Sequence, residues 1–502
     1  MREIGLATLA VLLLGPISRA EDKNKPPAKV YVLLWFDTED YLLPASDDAA
    51  LQVAQTLTRE GIRGTFKIVG HKARTLEKRK RLDVIEALKK HEIGYHSNWH
   101  SVQPTPAMYA SNLEWDEGVA EFERREGKGK EDVERIFGVK PTCYGQPGSS
   151  WCPQSYAVLN RWGMIYLDAG RHVSLEGKPC HFGGILNLYQ LTHTIRADLN
   201  KPDLLEQAKH RFAEARAQLL AEGGGLVSTV YHPCEWVHKK FWDGVNFAKG
   251  ANPPPEKWQL PPQKTEEETR QSFRIFAEYL AFMKRFPDVE FITASEAGRL
   301  YADRARQRSF GKKEIQAIAE GVGEEVSFQR HGEWSLSASE VFDVLVRFQA
   351  RRLDDKKTES VTWRTTPLGP TSKPVSMEEV VLTDASQFRR TLADVEDYLT
   401  RQGRIPAAVW LGSTPVPAEA FLRAVARTTL LSLEGKPLPE QIEIPKARLG
   451  AARYVSADEP RLWGWVIFPP GFKAPHLMEV GRRQAWTLKP ALLGSLAPES
   501  GG

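Results

Sequence analysis

Three short clusters hold the side chains best suited to chemistry. Trp35-Phe36-Asp37-Thr38-Glu39-Asp40 sets three carboxylates within four residues directly after an apolar run. His96-Ser97-Asn98-Trp99-His100 separates two imidazoles by four positions, the spacing at which both project from one face of a helical turn and can share a metal ion. Tyr231-His232-Pro233-Cys234-Glu235 adds a third imidazole after another apolar run. Two imidazoles and a carboxylate leave a divalent ion open positions for water and for a substrate carbonyl, which is hydrolytic chemistry. The same donor set can hold Fe(II) for oxygen chemistry, and a solvated loop is the structural alternative for the acidic cluster.

The elements that position these clusters are read from hydrophobic periodicity. Val30 to Phe36 is a strand, followed by a helix with Leu51, Ala54 and Leu57 on one face. A second strand, Thr65 to Val69, is followed by a helical stretch with Leu82, Ile85 and Leu88, and Ile93-Gly94-Tyr95 is extended again. With right-handed crossovers this order gives parallel strands, whose C-terminal ends form the active face. Each cluster stands at such an end. Leu226 to Tyr231 and Val289 to Thr293 are later strands, and Thr265-x-x-Glu268 opens a helix carrying Phe273, Phe276, Leu280 and Met283. About 270 residues of alternating strand and helix suit a (β/α) barrel, complete or with fewer strands, a doubly wound sheet being the alternative.

Composition narrows the class. With 502 residues, 41% hydrophobic and 26% charged, the chain is an ordinary folded protein of several domains. A net charge of +4 without a long basic run argues against a nucleic-acid partner. Arg2, the apolar stretch Ile4 to Leu14 and Ser18-Arg19-Ala20 form a secretory signal over residues 1–20, too short to span a bilayer, so the mature chain is expected to have no transmembrane helix and to be secreted, periplasmic or held in the cell envelope. In that oxidising setting Cys143, Cys152, Cys180 and Cys234 are expected to form one or two disulfides, with three connectivities open.

All four cysteines and ten of the 12 histidines precede residue 302. Residues 303–330 are polar and read as a linker, and 331–495 as a mainly helical C-terminal domain, with Phe388, Leu392, Val395 and Leu399 at helical spacing. Glu340, Phe342 and Val346 recur as Glu419, Phe421 and Val425 at one offset, a hint of duplication. Gly403 through Leu422 resembles a pseudomurein-binding repeat, which implies contact with a cell-wall polymer or glycan.

Over residues 29–302 the sequence resembles the polysaccharide deacetylases, or NodB-homology carbohydrate esterases. Phe36-Asp37-Thr38-Glu39-Asp40-Tyr41 matches the F-D-x-E-D-Y form of their first motif. His91-Glu92-Ile93-Gly94 leading into His96-Ser97-Asn98-Trp99-His100 matches the second. Gly61-Ile62-Arg63-Gly64-Thr65-Phe66 with Gly70 mirrors the segment between them, and His232-Pro233-Cys234-Glu235 a late H-P-W-E. The resemblance implies a distorted (β/α) barrel of the NodB-homology type. It implies a divalent metal, zinc foremost, on His96, His100 and Glu39, with Asp40 the alternative to Glu39. It further implies Asp37 as general base, His232 as general acid, and an N-acetylated polysaccharide as substrate, cleaved to acetate and a free amino sugar.

The third motif departs from the family. Gly145 stands where an arginine paired to the catalytic Asp is expected, while Asp168 fits the acid that normally contacts that arginine. Either another cation such as Arg171 substitutes, or the base is tuned differently, or the chain is a catalytically impaired carbohydrate-binding relative. Trp99, Trp151, Trp236 and Trp242 lie in or beside the motifs and are the candidates for stacking on sugar rings, and the Pro-rich stretch 252–262 is a candidate rim of the cleft.

Overall fold

The computed structural model describes residues 27–355 and 357–496, so the expected signal segment 1–20 lies outside the described residues. Strand β1 (Val30–Thr38) is buried along its whole length. It can be apolar on both faces because neighbouring strands pair it on both edges and a layer packs on either side. Val30, Val32, Leu34 and Phe36 face the surrounding helices. Tyr31, Leu33 and Trp35 face inward, against Leu167, Leu186, Leu188 and Leu226. Side chains alternate along a strand, so Asp37 and Glu39 continue the inward row.

The other strands are β2 (Thr65–Ile68), β3 (Glu92–Tyr95), β4 (Cys143–Tyr144), β5 (Ile165–Asp168), β6 (Cys180–Phe182), β7 (Ile185–Tyr189), β8 (Gly225–Tyr231) and β9 (Val289–Ile292). They run in the order β6-β7-β5-β4-β3-β2-β1-β8, with β9 pairing the first half of β1. Every pairing from β7 to β8 is parallel, and β6 is antiparallel. The ring is drawn together where Thr194, just after β7, bridges Ser228 of β8. The result is a distorted, incomplete (β/α) barrel. Thr265 and Glu268 form the expected reciprocal cap of helix Glu266–Met283.

The C-terminal region is mainly helical and built from two copies of one unit. Strand Ser309–Gly311, helix Lys312–Glu320, hairpin Gln329–His331/Trp334–Leu336, helix Ala338–Asp354 and strand Ser360–Thr362 form the first. Strand Val381–Asp384, helix Ala385–Gln402, hairpin Val409–Leu411/Thr414–Val416, helix Ala418–Leu433 and strand Gln441–Ile444 repeat that order. In each copy the outer strands pair antiparallel. Residues 303–330 are therefore not a linker: helix Lys312–Glu320 buries Ile315 and Ile318 in the second core. The helix is polar on its outer face, which is why the stretch reads as solvated.

Beyond residue 450 the chain returns to the barrel. Leu462, Trp463, Ile467, Leu477 and Leu488 join the barrel's own core, and Lys489–Pro490 adds an antiparallel strand beside β6. Buried Lys489 ties the two regions through ion pairs to Asp303 at 2.6 Å and Glu340 at 2.8 Å. All four cysteines are unpaired and buried, Cys143 in the inner layer and Cys152, Cys180 and Cys234 in the outer core, so the expected disulfides are not formed. Each serves as a small apolar side chain.

Candidate metal centre

Neighbouring ends of β3, β2, β1 and β8 deliver the clusters to one cleft of about 460 Å³. Glu39, His96 and His100 come together there, one donor atom from each lying within 4.8 Å of the others, all three buried. The two imidazoles do not reach this point from a helix. Ser97 and His100 adopt left-handed backbone conformations, φ 64° and 55°, in a tight turn where the Ser97 hydroxyl accepts from the His100 N–H at 3.1 Å. Non-glycine residues persist in that region only where surroundings over-determine them. Here the Asn98 N–H donates to Glu126 Oε2 at 2.7 Å, and Arg74 donates to the Asn98 side chain at 2.9 Å.

Hydrogen bonds orient both rings. His96 Nδ1 faces the Gly145 carbonyl at 3.0 Å and His100 Nδ1 the Ser101 hydroxyl at 2.7 Å. Both Nε2 atoms are left pointing at Glu39 Oε2, at 3.2 and 2.9 Å. The other Glu39 oxygen accepts from Trp242 Nε1 at 2.8 Å. Two imidazole nitrogens and one carboxylate oxygen, each with its far side fixed by a hydrogen bond, are donors that could hold a metal ion and leave it an open position. Asp40 is not part of it. Its carboxylate is occupied by Ser46 at 2.5 Å, His238 at 2.9 Å and the Leu42 N–H at 2.8 Å, and it caps the loop after β1.

Asp37 lies beside the donors with a cation that the sequence reading missed. Lys67 Nζ is 2.9 Å from Asp37 Oδ1 and 3.8 Å from Asp168 Oδ2, and it donates to the Leu167 carbonyl at 2.8 Å. Asp37, Lys67 and Gly94 are direct neighbours across β1, β2 and β3. Both glycines around the lysine make room for it: a Cβ on Gly145 would stand 1.9 Å from Lys67 Nζ, and one on Gly94 would stand 2.8 Å from Lys67 Cγ. Lys67 thus fills the space in which an arginine from position 145 would lie. Arg171, the substitute expected from sequence, lines the outer cleft instead and makes no ion pair with Asp37.

Electrostatics divide the titratable groups. Burial works against the Asp37 carboxylate, but the charges of His96, Lys67 and His232 outweigh it and hold it below the usual range. Asp168 is pushed up to about 7 by burial and by Asp37, with Lys67 opposing. His232 stands across from Asp37, Nε2 to Oδ2 3.7 Å, and its Nδ1 meets Glu235 at 2.6 Å, which in turn is clamped by Arg196. Burial disfavours the imidazolium, yet the Glu235 hydrogen bond and the charges of Glu39 and Asp37 raise His232 to about 9.

Of the four candidate stacking residues, Trp151, Trp236 and Trp242 are fully buried, and only Trp99 is exposed, stacked on His71. The indoles lining the cleft are Trp35, at its floor on β1, and Trp465, from the returning C-terminal segment, which donates to Asp243 at 2.6 Å. The stretch 252–262 is not among the cleft residues; its Trp258 packs near Tyr41.

No protein-family model matches this chain, and no curated protein does. Among solved structures it is similar to a candidate polysaccharide deacetylase from Mycobacterium smegmatis at 15% identity, covering 55% of this chain and 93% of that one with a TM-score of 0.35. A peptidoglycan N-acetylglucosamine deacetylase shows 13% identity over 53% of this chain and 87% of its own, TM-score 0.29. A CE4-family pseudoenzyme from Bacillus anthracis shows 12% identity over 53% of this chain and 65% of its own, TM-score 0.28. Superpositions this loose leave the case for a function to the chain's own residues.

Proposed function

We propose that the protein is a metal-dependent hydrolase that removes N-acetyl groups from a glycan. The observation that carries this reading is the convergence of Glu39, His96 and His100 in one cleft, with the Asp37 carboxylate, paired with Lys67, and the His232 imidazole, paired with Glu235, beside them. A divalent ion on those donors, zinc being well suited, supplies a lowered pKa for water and polarisation of the amide carbonyl. Asp37, kept anionic by Lys67, accepts the proton of the attacking water. His232, kept charged by Glu235, delivers a proton to the departing amine nitrogen. Arg196 on the far side of Glu235 fixes that carboxylate and hence the ring. Burial of these groups strengthens each interaction by excluding water. The products are acetate and a free amino sugar.

Lys67, beside Asp37 where the missing arginine would lie, supports the catalytic reading over the carbohydrate-binding alternative. The proposal includes export, supported by the apolar run Ile4 to Leu14, and a polymer contact by the C-terminal units, supported by the resemblance of Gly403 through Leu422. Asp37→Asn tests the chemistry: it should retain its metal and lose ~10²-fold or more in turnover, the range for deleting a general base. Loss of the metal itself in that variant would make Asp37 a ligand and remove the base from the scheme.

A further inference from the structure

The metal cleft does not end at Trp465. Arg171 and Arg461 line it and also line a second cavity of about 510 Å³ beyond Asp168. That cavity shares Arg453 and Arg461 with a third of about 460 Å³, which reaches Arg482. Four guanidiniums thus follow one continuous groove outward from the metal donors. The groove is a fixed part of the fold. Val173 and Val455 form an antiparallel bridge, the Ser456 N–H donates to His172 O at 2.9 Å, and its hydroxyl donates to Arg171 O at 3.0 Å.

Charge along the two outer cavities is one-sided. Glu459 is the one carboxylate lining them, and it is paired with Arg461, while Asp168 stands at the inner end, in the metal cleft. Arg453 touches Glu325 and lies over the Tyr454 ring, and Arg171 has no carboxylate partner among the described residues. A neutral glycan offers these exposed guanidiniums only hydroxyl and ether acceptors, whereas carboxylates or sulfates on successive sugars add charge-assisted, paired N–H contacts.

We infer that the groove binds an anionic glycan, with the negative groups of sugars flanking the acetylated one held by Arg171 and Arg461 and the next by Arg453. This rests on the deacetylase reading for the position of the acetylated sugar. The charge preference itself is measured by binding, without turnover.

The test uses full-length, zinc-loaded Asp37→Asn protein and three tetrasaccharides that all carry N-acetyl groups: neutral chitotetraose, its 6-O-sulfated form, and one alternating glucuronate with N-acetylglucosamine. Calorimetry should show at least ~10-fold tighter binding of one or both anionic ligands than of chitotetraose at low salt, a gap that narrows as salt rises. Which anion is preferred separates sulfate from carboxylate. Arg171→Gln with Arg461→Gln should bring the ratio toward one, and the paired Lys substitutions should restore part of it. Equal affinities for neutral and anionic ligands, no binding of any, or a ratio unmoved by the Gln substitutions would each overturn the inference. If the charge preference holds while wild-type protein releases no acetate from any of the three, the deacetylase reading falls and the anionic groove stands. Acetate release from chitotetraose with no charge preference gives the reverse.

Discussion

Replacing Lys67 by Met removes one charge while keeping a side chain of similar length between Gly94 and Gly145. The lysine is fully buried and Asp37 is 8% exposed, so solvent screens the pair little. At 2.9 Å, with an effective dielectric constant of ~20, the attraction amounts to roughly 5–6 kcal/mol. That is an upper bound on the effect, because His96 and His232 also face Asp37 and remain. The loss is capped in another way too. A carboxyl with an ordinary value of 3.8 can be protonated at pH 7 for ~4 kcal/mol, so the variant should be destabilised by about 3–4 kcal/mol, in line with breaking a buried pair by deleting one partner. Catalysis requires Asp37 as the anion. Without Lys67 its pKa rises, and the acidic limb of kcat/KM against pH should move upward by at least about one pH unit, so that loss of activity is greatest below pH 7. Urea unfolding and a pH–rate profile on the same preparation read both quantities. Gly145→Arg alone sets its Cβ 1.9 Å from Lys67 Nζ and 2.9 Å from the Leu167 carbonyl oxygen and should be destabilised; Lys67→Ala with Gly145→Arg relieves the first clash, so it should be more stable than Gly145→Arg and return the limb toward lower pH. A Lys67→Met enzyme with wild-type stability and an unmoved acidic limb would refute the assignment of Lys67 as the cation that sets the base.

Two other expectations concern the supports of the site. Glu126, whose Oε2 accepts from the Asn98 N–H and from Tyr95, is raised from 4.5 to about 7 chiefly by burial, so the fold holds its proton more tightly than the unfolded chain and loses up to ~3 kcal/mol as pH rises from about 4.5 through 7. Glu126→Gln should therefore gain stability relative to wild type between pH 5 and pH 8, read as the difference in melting temperature; a difference independent of pH would show that Glu126 is charged in the fold. Truncation after residue 302 removes Leu462, Trp463, Leu477 and Leu488 from the barrel core and Trp465 from the cleft, so the fragment should aggregate or bind a hydrophobic dye, and a soluble fragment with a sharp thermal transition would contradict that.

What could be read from sequence followed from how local each signal is. Strand-end acids and histidines stand next to long apolar runs, so β1, β3 and β8 and the residues at their tips are legible. Lys67 was not, because it sits in a four-residue strand between apolar neighbours and its meaning comes from register with Asp37 and Gly94 across two strand pairings. A charged residue inside a buried strand beside two glycines is the signal that could have found it. The i, i+4 spacing picked out two histidines that do converge on Glu39, but through a turn with left-handed residues in place of a helix. Trp465 and Arg461 reach the cleft from more than 200 residues beyond His232, and no local pattern announces such a return. The linker expectation failed for a related reason: a helix with one buried stripe and a charged outer face has the composition of a solvated segment.

Whether Glu39, His96 and His100 hold a hydrolytic metal is decided by acetate release from N-acetylated oligosaccharides, neutral and anionic, by protein stripped of metal and then titrated with zinc. The stripped protein should release none, release should rise with a break at one equivalent of zinc, and His96→Ala with His100→Ala should show neither release nor tight zinc binding. Release that persists in the stripped protein, or a zinc-bound double variant of full occupancy, would contradict that assignment.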